Sequence, residues 1–157
     1  MPHFSFHSPV GDLTLFEEDD QIVSLDWGRA AASTPSDLLL EAKKQLDLYF
    51  EGLLRVFNLP LSPLGTDFQR EVCLAMSEIP YGQTRSYGDL ARDLGSAARA
   101  VGQACSRNSL PILIPCHRVL AANGALGGYS GIEGTDTKRY LLGLEGVEIR
   151  HPLPRRR

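Results

Sequence analysis

The feature that most constrains this chain is an uncharged stretch rich in proline and leucine, Pro60-Leu61-Ser62-Pro63-Leu64-Gly65, which ends the first third of the sequence. Proline carries no backbone N–H and restricts the residue before it, so neither a helix nor a central strand runs through this stretch. It reads as a connector, and the patterns on its two sides differ. Before it, Phe4 and Phe6 alternate with polar neighbours, and Leu13 to Phe16 and Gln21 to Leu25 make two further strand candidates. Pro9-Val10-Gly11-Asp12 and the acidic run Glu17 to Asp20 supply the turns of a small antiparallel sheet. Thr34-Pro35-Ser36-Asp37 reads as a helix start with Thr34 as N-cap, followed by an apolar stripe of Leu38, Ala42, Leu46, Tyr49 and Leu53.

After the connector the pattern is helical. Thr66-Asp67-Phe68-Gln69 is a capping box, and Phe68, Val72, Ala75, Met76 and Ile79 share one face before Pro80-Tyr81-Gly82 ends the helix. Ser86 caps a short helix from Tyr87 to Leu94, with Gly95 suited to a left-handed C-terminal position. Ser96 caps a second, from Ala97 to about Cys105, built on the small residues Ala97, Ala98, Ala100, Gly102 and Ala104. The pair fits a helix-turn-helix, and equally any tight helical hairpin. Pro111-Ile112-Leu113-Ile114-Pro115 reads as an apolar strand ending at Cys116, and a glycine-rich loop follows it. The last helix is expected from about Thr135 to Leu144, with Tyr140, Leu141 and Leu144 inward. The expected division is residues 1–62 as an α/β lobe, 63–150 as the working domain, and 151–157 as a flexible tail.

Composition removes several classes of function. Hydrophobic residues make up 43% and charged residues 22% of the 157, which argues for a packed core and against disorder. No apolar run approaches the roughly 20 residues that span a bilayer. The N-terminus shows no charged segment followed by an apolar one, so a cytoplasmic protein is expected. The three cysteines, Cys73, Cys105 and Cys116, cannot all pair within the chain, and their spacing offers no metal motif. Net charge is −3, unfavourable for nucleic acid as a whole, but residues 1–64 hold 4 basic and 10 acidic side chains. Residues 65–118 hold 6 and 5, and residues 119–157 hold 6 and 4, so the acidity is concentrated in the first third.

Chemistry centres on Pro115-Cys116-His117-Arg118. A thiolate is the nucleophilic form of cysteine, and an adjacent imidazole or guanidinium favours it. Neighbours on a strand point to opposite faces, so His117 acts as base only through a bend or a bridging water. A buried, inert cysteine fits these four residues as well.

The stretch Pro111 to Val119 resembles the signature of the O6-alkylguanine-DNA alkyltransferases, the methylated-DNA–protein-cysteine methyltransferases. Ile79-Pro80-Tyr81-Gly82-Gln83-Thr84-Arg85-Ser86-Tyr87-Gly88, Ala98 to Gly102, Asn108, Gly128-Tyr129-Ser130-Gly131 and Lys138 to Gly146 follow in the family's order, so the similarity spans about residues 46 to 146. It implies an α+β chain: a small N-terminal sheet with helix, ribonuclease-H-like, then a mostly helical, winged-helix-like domain carrying a helix-turn-helix. It implies DNA repair by one irreversible transfer of an alkyl group from O6-alkylguanine, with O4-alkylthymine as a further substrate, to Cys116 of a monomer. No cofactor is implied. Some members hold a structural zinc near the N-terminus, but this lobe has no cysteine, so no metal is expected.

The resemblance also assigns residues. Cys116, His117 and Glu145 match a relay in which glutamate orients the imidazole and a water links it to the thiol. Tyr87 matches the tyrosine that protonates or polarises the departing guanine, and Asn108 the asparagine that braces the active-site turn. Arg99 matches an arginine that replaces the flipped nucleotide in the stack, while Ser86, Ala98, Ala100 and Gly102 lie on the face that meets the DNA minor groove. Tyr129, Ser130, Gly131 and Pro111 match the wall of the base pocket. The sequence departs from the family pattern in a shorter turn at Leu94 to Ala97 and a longer stretch from Tyr129 to Lys138. Cys73 stands where tryptophan is often found, and Arg107 where glycine is frequent. Two other classes compete: a non-transferring lesion-recognition protein, in which the active cysteine is replaced, and a thiol hydrolase, which leaves Arg99 and the small-residue helix unexplained.

Overall fold

The computed structural model describes residues 1–126 and 134–148. The chain opens with a three-stranded antiparallel sheet, β1 (His3–Ser8), β2 (Gly11–Glu18) and β3 (Gln21–Trp27), ordered β1-β2-β3. Phe6 pairs with Leu13 and Leu15 with Leu25, which puts these apolar side chains together in the core. Asp19 and Asp20 both take positive φ (52° and 62°) between paired Glu18 and Gln21, as a two-residue hairpin turn requires.

Helix α1 (Asp37–Phe50) packs Leu39, Ala42, Leu46 and Tyr49 into the same core. Its N-cap is Ser36, not Thr34. The Ser36 hydroxyl accepts from Leu39 N–H at 3.1 Å and also donates to the Glu17 carboxylate of β2. A tertiary partner thus moves the start two residues beyond the place that local pattern favours. Leu38 is only half-buried and Leu53 is exposed, so the inner stripe is also displaced from the expected one.

The connector is pinned in place. Ile22 N–H donates to Pro60 O and Ser62 N–H to Ile22 O, each at 2.9 Å, laying Leu61 along β3. No proline N–H is needed there, because the donors belong to Ile22 and Ser62. Leu25 N–H donates to Ser109 O at 2.8 Å, and the Ser109 hydroxyl to Val23 O at 2.8 Å. Strand β3 therefore holds both the connector and the segment leading to Cys116.

Helix α2 (Asp67–Ser77) has the expected Thr66–Gln69 capping box and buries Val72, Cys73 and Met76. Helices α3 (Tyr87–Leu94) and α4 (Ala98–Ser106) pack as a pair, turned by Gly95 in the left-handed region (φ 65°, ψ 37°). Ser86 caps α3 as expected, but Ser96 does not cap α4, whose N-cap is Ala97 without a side-chain bond. The turn is so short that Ser96 N–H closes α3 instead, on Ala91 O at 2.8 Å.

The expected strand before Cys116 does not form. Leu110, Ile112, Leu113 and Ile114 are all buried, without alternation, and Ile112 takes a positive φ of 74°. Ile114 N–H returns to Leu110 O at 2.8 Å, and Cys116–Arg118 continues as a 3-10 turn. A run that is apolar on every side does not distinguish a strand from a compact buried turn. Beyond it, β4 (Arg85–Ser86) and β5 (Val119–Leu120) form a two-residue parallel pair. Helix α5 (Thr135–Leu144) has the expected bounds but a different inner face: Thr137, Lys138, Leu141 and Leu142 are buried, and Tyr140 is 42% exposed. Among the described residues, no helix is long and apolar enough to cross a membrane.

Candidate active site

The 3-10 turn brings its three residues into one buried cluster. Cys116 is 6% exposed, His117 0% and Arg118 7%. Because the turn is not a strand, His117 is directed inward with its neighbours. Its Nε2 lies 2.7 Å from Glu145 Oε2, at the C-terminal end of α5. Arg118 grips the same carboxylate with two donors, Nε to Oε1 at 2.8 Å and Nη2 to Oε2 at 3.0 Å, and gives Nη1 to Ile79 O at 2.7 Å. Tyr49, from α1, donates its hydroxyl to Oε2 at 2.5 Å.

These contacts settle the protonation states. Burial pushes the Glu145 carboxyl up, but the hydrogen bonds from His117, Arg118 and Tyr49 outweigh it and hold the group at about 2. Glu145 is therefore ionised and only accepts, so His117 Nε2 carries the proton. Burial pulls the imidazole below its ordinary value against the opposing pull of Glu145, which keeps it neutral. His117 Nδ1 is then the basic nitrogen, and it is buried with no hydrogen-bond partner among the described residues. A neutral imidazole, oriented by a carboxylate and presenting one bare nitrogen, is a proton acceptor ready for use.

Asn108 supports the turn from behind. Its Nδ2 donates to Ile114 O at 3.0 Å, and its Oδ1 accepts Leu110 N–H at 3.0 Å. Cys116 N–H donates to the same Ile114 O at 2.7 Å, so one carbonyl links Asn108 to the thiol-bearing residue. Cys73 Sγ sits 3.8 Å from Asn108 Oδ1. Burial pushes the Cys73 thiol up to about 11 and the Cys105 thiol to about 12, so neither supplies thiolate at neutral pH.

Tyr87, the first residue of α3, is half-buried, and burial together with the Cys105 and Cys116 thiols pushes its phenol up to about 12. It therefore stays protonated at neutral pH and can donate a hydrogen bond. Lys138 is fully buried in α5, with Nζ 2.6 Å from Val119 O and 5.7 Å from the centre of the Tyr87 ring. Burial lowers its ammonium to about 8, against the upward pull of Cys116 and Cys105.

Sequence reasoning missed the parts played by Arg118, Tyr49 and Lys138. In the sequence Tyr49 is one member of an apolar stripe and Arg118 only a cation near Cys116. Lys138 had a usable signal: a lysine three residues before Leu141 falls on that helix's inner face. Pro111 is buried at the start of the turn, while Tyr129, Ser130 and Gly131 lie outside the described residues, as does the tail from 151 to 157. The described residues include no group of three or more His, Cys, Asp or Glu placed to hold a metal ion.

The helix pair presents a separate face. Arg99 and Ala98 are exposed on the first turn of α4, and Ala100 and Gly102 are half-buried. Arg99 makes no hydrogen bond or ion pair among the described residues, whereas Arg85 pairs with Asp93 at 2.6 Å and Arg92 with Asp89. Among the described residues, a Cβ on Gly102 would meet nothing nearer than Tyr87 Cδ1 at 4.0 Å, so packing against them does not demand a glycine there. Ser86 accepts Asp89 N–H at 3.0 Å as the cap of α3.

Comparison with known proteins gives consistent matches along the chain. Residues 3–63 match the 6-O-methylguanine DNA methyltransferase, ribonuclease-like domain, and residues 67–147 match the DNA binding domain of the same family. A constitutive methylated-DNA–protein-cysteine methyltransferase of Bacillus subtilis is 45% identical, covering 91% of this chain and 94% of its own length. A methylated-DNA–protein-cysteine methyltransferase of Methanosarcina acetivorans is 44% identical, covering 90% and 96%. The crystal structure of Mycobacterium tuberculosis OGT in complex with DNA superposes with a TM-score of 0.83 at 41% identity, covering 93% of each chain.

Proposed function

Because this chain belongs to the 6-O-methylguanine DNA methyltransferase family, we propose that it repairs DNA by taking an alkyl group from O6-alkylguanine onto Cys116. The observation that carries the reading is the buried Cys116–His117–Arg118 turn held on Glu145, with His117 Nδ1 left as the bare acceptor. The Cys116 proton passes to Nδ1, directly or through a water. The thiolate attacks the alkyl carbon, an S–C bond forms, and the C–O6 bond breaks with its electron pair going to the base. Tyr87 donates a proton to the departing guanine and regains one from the imidazolium side, so the thiol proton ends on the base. The thioether has no route back to a thiol, and each molecule acts once.

The damaged base is reached by flipping it out of the stack, which costs a few kcal/mol. Arg99 suits the vacated place because it is exposed and has no hydrogen-bond or ion-pair partner among the described residues. Gly102, Ala98 and Ala100 suit close approach of α4 to the minor groove, since packing against the described residues does not explain the glycine. Asn108 braces the turn and Ser86 fixes the start of α3; the family resemblance assigns Pro111 to the base pocket, together with Tyr129, Ser130 and Gly131, which lie outside the described residues. The unit is a monomer of the cytoplasm, where thiols stay reduced. Its lobe spans residues 1–62 and its DNA-binding and transfer domain 63–150, a division supported by the family matches over 3–63 and 67–147. O4-alkylthymine is a second substrate. The test is a titration with duplex containing radiolabelled O6-methylguanine. Label should move to protein until one equivalent is bound and then stop; continued turnover would refute the reading.

A further inference from the structure

Glu145 Oε2 is oversubscribed. It accepts from Tyr49 Oη at 2.5 Å and from Arg118 Nη2 at 3.0 Å, and it also meets His117 Nε2 at 2.7 Å, whereas Oε1 takes Arg118 Nε at 2.8 Å. A carboxylate oxygen has two lone pairs, so three donors compete for them. One donor comes from far away: Tyr49 lies in α1, 96 residues before Glu145 in sequence. It is 1% exposed and wedged by Phe57 (5.2 Å between ring centres), Phe50 (5.5 Å) and Tyr81 (6.2 Å, edge on). Its hydroxyl cannot swing away without disturbing that aromatic cluster, and Arg118 lies over the Tyr81 ring at 5.7 Å.

We propose that Tyr49 is a positioning residue by which the N-terminal lobe restrains the thiol. Its hydroxyl takes a share of Glu145 Oε2 and so weakens the pull of Glu145 on the His117 Nε2 proton. A weaker pull makes Nδ1 a poorer base, and Cys116 yields its proton less readily. Restraint has a use in a protein that acts once, because a thiol activated at rest would be consumed by any stray electrophile. Among the described residues, the other charged or titratable groups facing this set are Arg118 on the turn, Lys138 on α5, Tyr81 before β4, and Cys116 itself. The inference rests on Cys116 being the alkyl acceptor.

The test uses the full chain and iodoacetamide, a small electrophile that needs no base pocket, with labelling of the Cys116 peptide followed by mass spectrometry over a pH series. Tyr49→Phe removes the hydroxyl and keeps the ring. It should speed labelling about threefold at neutral pH and move the midpoint of the profile to lower pH. Installing 3-fluorotyrosine at position 49 makes a more acidic, stronger donor, and should slow labelling and move the midpoint up. A merely structural role would not give opposite signs. Slower or unchanged labelling in Tyr49→Phe overturns the proposal. If that variant does not fold, faster or unchanged labelling with 3-fluorotyrosine overturns it. Methyl transfer from an O6-methylguanine duplex by the unmodified protein, run alongside, reports separately on the alkyl-transfer reading.

Discussion

The turn carrying Cys116 and the helix carrying Arg99 treat charge in opposite ways. In the turn every charge is buried and committed: Arg118 holds Glu145 and Ile79 O, and Glu145 also takes Tyr49 and His117. On α4, Arg99 is exposed and bound to nothing among the described residues, beside alanines and a glycine. Fixed charge in a dry setting tunes proton affinity, because no water relaxes around it. An uncommitted arginine on a small-residue surface keeps its binding capacity for a partner that arrives later. The two regions divide the proposed work into bond-making and reaching the base.

That division can be broken by mutation. Cys116→Ser should abolish transfer, while duplex affinity measured by fluorescence anisotropy stays within about twofold, since no phosphate contact is lost. Glu145→Gln should slow Cys116 alkylation by about 100-fold and lower unfolding stability by about 3 kcal/mol, because Arg118 is left buried without its counter-charge. Stopped-flow alkylation and urea denaturation read these separately. Arg99→Ala should slow repair in duplex DNA by about tenfold or more, yet leave reaction with free O6-benzylguanine nearly unchanged. Equal losses on both substrates would merge the two regions and remove the flipping role.

Acid should act on the turn through His117 and Glu145, and on the surface through Asp12, lowered by Arg29, and Asp89, lowered by the Ser86 N–H. His117 is lowered in the fold, so the unfolded chain binds more protons below about 6.5, and stability falls with pH from there. Glu145 is lowered from 4.5 to about 2, so its contribution, complete above 4.5, is lost between those values. Acid titration of the protein and of Glu145→Gln, followed by circular dichroism, should show a larger loss below 4.5 in the former, the excess being the Glu145 contribution. The smallest effect is expected at Thr66→Ala, about 1 kcal/mol from the α2 capping box, with transfer per folded molecule unaltered.

Much of this was legible before the fold. The capping box at Thr66, the Ser86 cap and the αL Gly95 follow from local hydrogen-bonding and backbone chemistry, and the bounds of α5 match those expected. What local pattern missed depended on distant partners. Ser36 caps α1 because Glu17 on β2 receives its hydroxyl, and Ser96 is taken up in closing α3. Residues 111–115 form a turn because all their side chains find core at once and Asn108 serves their backbone. In the site, the His117–Glu145 contact agrees with what family resemblance implied. Tyr49 was hidden because its ring belongs to the core while only its oxygen belongs to the site.

The central claim is that Cys116 accepts one alkyl group and no more. Intact-mass measurement after incubation with excess O6-methylguanine duplex, followed by peptide mapping, tests it directly. The account predicts a gain of a single methyl per chain, located on Cys116 and absent from Cys73 and Cys105. A protein that removes the methyl and keeps its original mass, or carries it on another residue, would contradict it.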